Sequence, residues 1–217
     1  MTRHRLDNIY THKFVPSPLP SSEGDKKNAN HNQTEGRMKA WHFISGDKRL
    51  RYDDNRIVRA GKTYKATGDL SMCENGMHGS KRIIDALRCA PGPIICRVEL
   101  SCEIETDNDK SVARERAVLW MIDGANVLHE FACRVALEAL TVAKVTDKRS
   151  WAAIEAKRRW VRGEITDAEL AAAGAAARAA ARAAAWAAAG DAARDAARDK
   201  QNRILTGLVV AEHKRTK

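Results

Sequence analysis

A segment dominated by alanine, near the C-terminal end, limits what this 217-residue chain can fold into. Nineteen of the 27 residues from Ala171 to Ala197 are alanine, the residue with the highest intrinsic helix propensity. Thr166 and Glu169, just before it, have the spacing of a capping box, which marks the start of a helix. We therefore predict a long helix over about 167–210, which is ~44 residues and ~65 Å at ~1.5 Å per residue.

A series of residues falls at every fourth position along this helix: Arg178, Arg182, Trp186, Gly190, Arg194, Arg198 and Asn202. Because a step of four overshoots the ~3.6-residue turn, these side chains wind around the helix instead of forming one strip. A helix of this length and composition leaves a broad apolar surface. We predict that it packs on a neighbouring helix, on a second copy of the chain or on another protein; the alternative is a lone rod. The side chains that mark this association helix are Arg178, Arg182, Trp186, Arg194 and Arg198.

The N-terminal part of the chain divides by composition into a leader and a domain. Residues 1–37 hold three of the five prolines and a long polar run, which predicts a disordered leader. Met38 opens the first strand pattern and is a candidate translation start, which would place residues 1–37 upstream of the native protein. Residues 38–145 then carry the apolar patterns typical of strands, most clearly at 39–44, 94–100 and 117–122.

Helical patterns accompany and follow these strands. A short helix is predicted within 80–88, and apolar residues over 125–144 recur at the spacing of an amphipathic helix packed on a sheet. Another helix at 150–162 precedes the alanine-rich one. The sequence therefore predicts an α+β fold, with a small mixed β-sheet domain and its packed helix at 38–145. A helical hairpin that contains the long alanine-rich helix follows within 146–217.

The charge of the chain is strongly basic. Lys and Arg number 38 against 28 Asp and Glu, which gives a net charge of +10 and a pI near 9.6. Arginines and tryptophans on the C-terminal helices make the chain a candidate nucleic-acid binder, since cations pair with phosphates and bases stack on aromatic rings. Interleaved aspartates weaken any single phosphate-facing strip. The candidate stacking residues are Trp151, Trp160 and Trp186.

Several function classes are excluded by what the sequence lacks. No apolar run approaches the ~20 residues of a membrane-spanning helix, so no membrane partner is predicted. Five cysteines scattered singly indicate free thiols in a reducing cytoplasm. None stands in a Cys-x-x-Cys pair or beside a sequence cue for thiolate activation, so we predict neither a metal site nor a nucleophilic cysteine. Glycine-rich phosphate loops are absent, which argues against nucleoside triphosphate hydrolysis, and no cofactor is predicted.

Three segments carry a resemblance to a known group of proteins. They are MKAWHF at 38–43, CENGMHGS at 73–80 and DALRCAPGP at 85–93. They resemble an uncharacterised domain family common in bacteriophages and prophages, whose members begin near the equivalent of Met38 and often end in a tail of Ala, Arg, Trp and Asp. The resemblance implies a phage origin and the cytoplasm of a bacterial host, and it brings no established activity. Met77 and Gly79 depart from the residues usual in the family.

The turn at 74–80, followed by a helix and a strand, also resembles the core of ADP-ribosyltransferase-like folds. That resemblance implies that His42 or His78 contacts a nicotinamide ribose and that Glu115 orients the ribose. The other interpretation is local: a tight Asn-Gly turn, a histidine that satisfies a backbone group and a solvated glutamate. The candidate ligand-binding residues are Asn75, Gly76, His78 and Ser80.

Three functions remain open on the sequence alone. The favoured one is a non-enzymatic accessory protein that acts by binding or assembly, in which the sheet domain recognises a ligand or host factor and the alanine-rich helix associates. The second is an ADP-ribosyltransferase-like nucleotide-binding protein, active or degenerate. The third is a nucleic-acid-binding protein.

Overall fold

A computed structural model describes residues 36–51, 54–184 and 191–217, with the backbone alone for 177–184 and 191–195. Apart from its last two residues, the predicted leader lies outside this range. The described residues form seven strands and five helices. The strands are β1 (Arg37–Ile44), β2 (Thr63–Lys65), β3 (Met77–Gly79), β4 (Ile94–Ser101), β5 (Glu105–Asp107), β6 (Lys110–Ala113) and β7 (Glu115–Asp123). The helices are α1 (Ile83–Arg88), α2 (Ala125–Val142), α3 (Lys148–Val161), α4 (Asp167–Ala184) and α5 (Asp191–Arg215).

The strands form two antiparallel sheets. Four strands pair in the order β1-β4-β7-β2, and three pair in the order β3-β6-β5. The three strands predicted from apolar patterns correspond to β1, β4 and β7, and the fully apolar run at 117–122 lies in an interior strand, β7. A strand with neighbours on both sides and layers on both faces needs apolar residues at successive positions, which is why that run does not alternate.

Side-chain alternation along β1 divides the core into two layers. Ala40 and Ile44 belong to a cluster with β3 and β6 residues of the smaller sheet. Trp41 and Phe43 belong to a second cluster, which contains residues of α1, α2 and α5. Since successive residues of a strand point to opposite faces, the larger sheet is covered by the smaller sheet on one side and by helices on the other.

A β-bulge interrupts the pairing of β4 with β7. Arg97 pairs with Trp120 and Val98 pairs with Val118, so Leu119 is left without a partner on β4. The bulge turns Leu119 towards solvent, where 41% of its surface is exposed. The apolar pattern of residues 117–122 does not predict this exposure.

The helices lie where the apolar periodicity of the sequence predicts them. The amphipathic helix expected at 125–144 is α2, and the one expected at 150–162 is α3. The capping box is present at the start of α4: the Thr166 backbone N–H donates to Glu169 at 2.8 Å, and the Glu169 N–H donates to the Thr166 hydroxyl at 3.3 Å. Helix α4 packs on α3. The junction of α4 and α5, where the predicted long helix would continue, lies outside the described residues.

The C-terminal helix enters the core of the sheet domain. Leu205 and Val209 are fully buried in the cluster with Trp41 and Phe43. His213, one turn further on, stacks on Trp120 with ring centroids 3.9 Å apart. The predicted fold class, α+β with a C-terminal helical region, is therefore confirmed, and α5 completes the helical layer. None of the described helices is both long enough and apolar enough to cross a membrane.

Candidate functional site

A cavity of about 240 Å³ opens beside β1, an edge strand of the larger sheet. Its walls come from β1, the loop at 49–54, β3 with its preceding turn, α1 with the loop that follows it, and single residues of β6 and β7. Backbone hydrogen bonds in both directions between Trp41 and Ser80, 2.8 and 2.9 Å long, fix β3 beside β1. The cavity is therefore built from segments that lie far apart in the sequence.

Arg116 on β7 is the main charged group of this cavity. Only 3% of its surface is exposed, and one guanidinium nitrogen donates to the His78 carbonyl at 2.9 Å. Its Nε has no hydrogen-bond partner, and no carboxylate of the described chain forms an ion pair with it. Burial lowers the pKa of Arg116 to about 10, because the surrounding protein solvates the cation poorly. Arg116 is therefore a buried cation without a direct ion pair among the described residues, an arrangement that is costly in a folded protein.

Two partly buried histidines lie beside Arg116. His42 on β1 pairs with Cys96 on β4, and burial, followed by the charge of Arg116, lowers its pKa well below the usual value. Burial also lowers the pKa of His78, whose Nε2 accepts the Cys73 backbone N–H at 3.0 Å. Both imidazoles are therefore neutral near pH 7, and the positive charge of the cavity comes from arginine and lysine.

The rim of the cavity adds further basic groups. Arg49, Arg51 and Lys110 line it together with Arg116. Asp54 is the single carboxylate among its described lining residues, and that carboxylate accepts a hydrogen bond of 2.6 Å from Arg56. This pairing lowers the pKa of Asp54, and the charges of Asp54 and Arg116 also attract each other without forming an ion pair. The cavity therefore has a positive excess suited to an anion.

The predicted ligand-binding turn only partly reaches the cavity. Gly76, His78 and Ser80 line it, whereas Asn75 donates to the carbonyls of Thr67 and Asp69 at 2.7 and 2.8 Å. The amide of Asn75 is thus occupied in holding the turn. Gly76 has a φ of +136°, and a Cβ there would lie 2.2 Å from a Val112 methyl group, so the turn requires glycine.

Glu115 lies apart from the two histidines. It stands opposite Lys65 in the pairing of β2 with β7, and the two side chains form an ion pair of 2.6 Å. Since Glu115 and Arg116 are adjacent on a strand, they point to opposite faces. The structure brings His42 and His78 to one cavity and leaves Glu115 outside it.

Of the five side chains that mark the predicted association helix, the structure describes one, that of Arg198. Arg198 donates to the buried carboxylate of Asp85 at 2.8 Å, which places it against α1. The side chains of the other four residues, Arg178, Arg182, Trp186 and Arg194, lie outside the described part of the chain.

Two of the candidate base-stacking tryptophans have partners within the chain. The indole N–H of Trp151 donates to the Val145 carbonyl at 2.9 Å, and that of Trp160 donates to Asp167 at 2.6 Å. Lys157 covers the Trp160 ring at 3.8 Å from its centroid. These contacts hold the α2–α3–α4 region together and leave less aromatic surface for a nucleic acid. No group of three potential metal ligands occurs among the described residues.

Sequence reasoning missed Arg116 and the proximity of Cys73 to Lys110, whose side-chain nitrogen and sulfur lie 2.8 Å apart. One signal for Arg116 was available: it shares the inward face of an apolar strand with Val118. No comparable signal existed for Cys73 and Lys110, because 37 positions separate them and the packing of two turns brings them together.

The fold and the cavity define a class: an α+β domain with a buried, unpaired arginine in a basic pocket. Residues 38–130 match the model of a protein family described as a domain of unknown function, DUF7666. The match extends from β1 into α2 and contains the whole cavity lining, whereas α5 lies beyond it. No curated protein and no solved structure matches the chain. The predicted presence of an uncharacterised family domain is confirmed, and the phage origin stays a prediction.

Proposed function

We propose that the α+β domain is a binding module for a small anionic ligand that carries a phosphate or carboxylate group. The observation that carries this proposal is the buried guanidinium of Arg116, with its free Nε and no partner carboxylate in the described chain. Arginine binds such anions through directed N–H donors. The favoured function is thus non-enzymatic, as the absence of a complete catalytic set in the sequence suggested.

The energetic argument rests on desolvation. Removing a cation from water costs several kcal/mol unless a counter-charge or a set of hydrogen bonds compensates for it. Arg116 has one hydrogen bond, to the His78 carbonyl, and two neutral imidazoles beside it. An incoming anion would supply the missing partner, so ligand binding relieves a cost that the empty protein bears.

The dimensions of the cavity limit the ligand. A volume of about 240 Å³ lies just below the ~300–1,000 Å³ of typical small-molecule sites. The apolar lining includes Ile44, Leu50 and Met77, which suits a ring or sugar face beside the anionic group. A sugar phosphate or the phosphate end of a mononucleotide fits this combination, whereas a dinucleotide would extend into solvent.

A nucleotide-binding protein of the ADP-ribosyltransferase-like type is the second candidate. The presence of His42 and His78 in one cavity supports nucleotide recognition. The position of Glu115, paired with Lys65 outside the cavity, argues against a transferase that uses this glutamate. The degenerate, ligand-binding form of this hypothesis therefore agrees with the first proposal, and the active form does not.

Calorimetric titration tests the proposal. The wild-type chain is titrated with inorganic phosphate, ribose 5-phosphate, AMP and ADP-ribose, and the Arg116→Met variant is titrated in parallel. The matched control is Arg134→Met, which removes an exposed arginine of α2. We expect binding of at least one of the phosphates to be lost in Arg116→Met and kept in Arg134→Met. Absence of binding to the wild type, or equal binding by Arg116→Met, would overturn the proposal.

The assembly part of the favoured function is a separate proposal. Its support is the start of α4, where Ala171, Ala172, Ala175 and Ala176 are exposed although α4 packs on α3. Replacing Ala172 and Ala176 with glutamate should lower the mass measured by light scattering if this helix associates. An unchanged mass, with unchanged helix content by circular dichroism, would count against association through this part of the helix.

A further inference from the structure

A cysteine and a lysine meet at the cavity. The Lys110 ammonium donates to the Cys73 sulfur at 2.8 Å, and both side chains line the cavity. This contact raises the pKa of Lys110, so the amine keeps its charge at neutral pH. An ammonium in direct contact with sulfur stabilises the thiolate, which is the nucleophilic form of cysteine.

The turn that carries Cys73 holds the sulfur in place. Ser71 and Asn75 exchange backbone hydrogen bonds of 2.9 and 3.0 Å across it, and the Cys73 N–H donates to His78 at 3.0 Å. The Cys73 side chain is exposed, and its φ of +71° is unusual for any residue with a Cβ. The sulfur is therefore both accessible to solvent and fixed against Lys110.

A second, independent observation points to a ligand at the same place. Arg116 lines this cavity, is 3% exposed and has no hydrogen-bond partner for its Nε among the described residues. Arg49 lies on the rim of the same cavity. A small anion held by these cations would lie in the cavity that Cys73 also lines.

We propose that Cys73 is a reactive thiolate stabilised by Lys110 and that the basic cavity directs small anionic electrophiles to it. The reactivity of the thiolate goes beyond the binding function. The preference for anionic electrophiles rests on the proposed anion pocket. The site therefore has two parts that separate probes can test.

The chemistry is an ordinary substitution at carbon or oxygen. With iodoacetate, the Cys73 thiolate attacks the methylene carbon, a C–S bond forms, the C–I bond breaks and iodide leaves with the electron pair. With hydrogen peroxide as the oxidant, an S–O bond forms while the O–O bond breaks. The departing hydroxide takes up a proton to become water, and Cys73 is left as a sulfenic acid.

The first experiment measures thiolate reactivity with a neutral probe. Folded protein is pulsed with iodoacetamide at neutral pH, and the labelling rate of each cysteine is read by peptide mass spectrometry. Cys102 is the internal reference, because it is exposed and has a similar φ of +59°. We expect Cys73 to react about tenfold faster than Cys102. Lys110→Gln should remove most of the difference and Lys110→Arg should keep it.

The second experiment measures the effect of probe charge. The ratio of the iodoacetate rate to the iodoacetamide rate is compared between Cys73 and Cys102 in the same molecule. The positive cavity should raise this ratio several-fold at Cys73, and Arg116→Met should lower it.

The outcomes separate the two parts of the proposal. If Cys73 reacts with iodoacetamide no faster than Cys102, or if Lys110→Gln leaves its rate unchanged, the stabilised thiolate is overturned. If Cys73 is fast but shows the same probe ratio as Cys102, the direction of anionic electrophiles is overturned and the thiolate stands. A raised ratio without phosphate binding would show that the cavity attracts anions but does not retain them.

Discussion

Two buried charged side chains lie on opposite faces of the larger sheet and differ in their partners. Asp85 of α1 is 7% exposed and accepts a hydrogen bond of 2.8 Å from Arg198, with Arg82 as a second ion-pair partner at 3.6 Å. Arg116 is 3% exposed and has no carboxylate partner in the described chain. The paired carboxylate of Asp85 thus joins elements of the fold. In the proposed function, the unpaired guanidinium of Arg116 binds a ligand instead.

The contacts between α5 and α1 around the buried Asp85 also explain a pattern in the sequence. Arg198 and Asn202 are two members of the every-fourth-residue series in the alanine-rich region. The Asn202 side-chain oxygen accepts the Ile84 backbone N–H at 3.3 Å, near the N-terminus of α1, which has no side-chain cap of its own. One face of α5 therefore both pairs the buried carboxylate and caps the short helix.

The largest effect is expected from Arg198→Met. This change leaves Asp85 buried with only the longer contact to Arg82, and breaking a buried pair costs about 3 kcal/mol of unfolding free energy. The control is Arg203→Met on the exposed side of α5, for which we expect a change within about 0.5 kcal/mol. Urea unfolding of both variants measures the difference. Equal stabilities would show that the paired charge does not hold α5 to α1.

The second prediction concerns the unpaired charge. Arg116→Met removes the buried cation but also the hydrogen bond to the His78 carbonyl, so these effects offset each other and stability without ligand should change by less than about 1 kcal/mol. Phosphate at ten times its Kd should stabilise the wild type by about 1.4 kcal/mol and leave the variant unchanged. Thermal unfolding with and without phosphate measures both quantities.

Arg198→Met provides the cross-check for that prediction. It should keep the phosphate-dependent stabilisation although its starting stability is lower, because Arg198 lies against α1 and does not line the cavity. A loss of phosphate dependence in both variants would contradict the division of the two buried charges into a structural and a ligand-binding one.

The elements of the fold were largely predictable from local patterns. The runs that became β1, β4, β7 and α2, and the capping box of α4, are determined by residues close in sequence. The role of α5 was not predictable in the same way, since nothing near Leu205 or Arg198 indicates which surface they meet. Its arginine pattern is visible in the sequence, but the sequence predicts packing on a neighbouring helix, on a second copy of the chain or on another protein, and not on the sheet domain.

The cavity was less predictable than the fold. Gly76 and His78 came from a recognisable turn, and both line the cavity. The sequence indicates Glu115 as a catalytic candidate, whereas the structure shows that its neighbour Arg116 carries the unpaired charge. Which of two adjacent strand residues faces the core depends on how the strand pairs, and the local sequence does not determine that pairing. The contact between Cys73 and Lys110 depends on the docking of two turns, which no local pattern encodes.

A smaller effect follows from His42 and its acid titration. Its pKa is lowered in the folded state by burial and by Arg116, so at mildly acid pH the unfolded chain binds a proton that the folded chain does not. The contribution of His42 to stability should therefore fall as pH drops below about 6.5, by at most about 1.4 kcal/mol per pH unit, in addition to any contribution from the other histidines with lowered pKa values. His42→Gln should flatten this slope between pH 7.5 and 5.5, as measured by urea unfolding. A slope equal to that of the wild type would mean that His42 does not titrate differently on folding.

The smallest effect is expected from Glu115→Gln. The Lys65–Glu115 ion pair is solvent-exposed on the lysine side, and such surface pairs contribute about 0–1 kcal/mol. Because Glu115 points away from the cavity, the variant should bind phosphate and AMP within about twofold of the wild type, a free-energy difference below about 0.5 kcal/mol. Lys65→Met is the matched control, since it breaks the same pair from the other side. A large loss of AMP binding in Glu115→Gln alone would place the glutamate in the ligand site. The comparison of the two buried charges would then omit the residue that matters most for function.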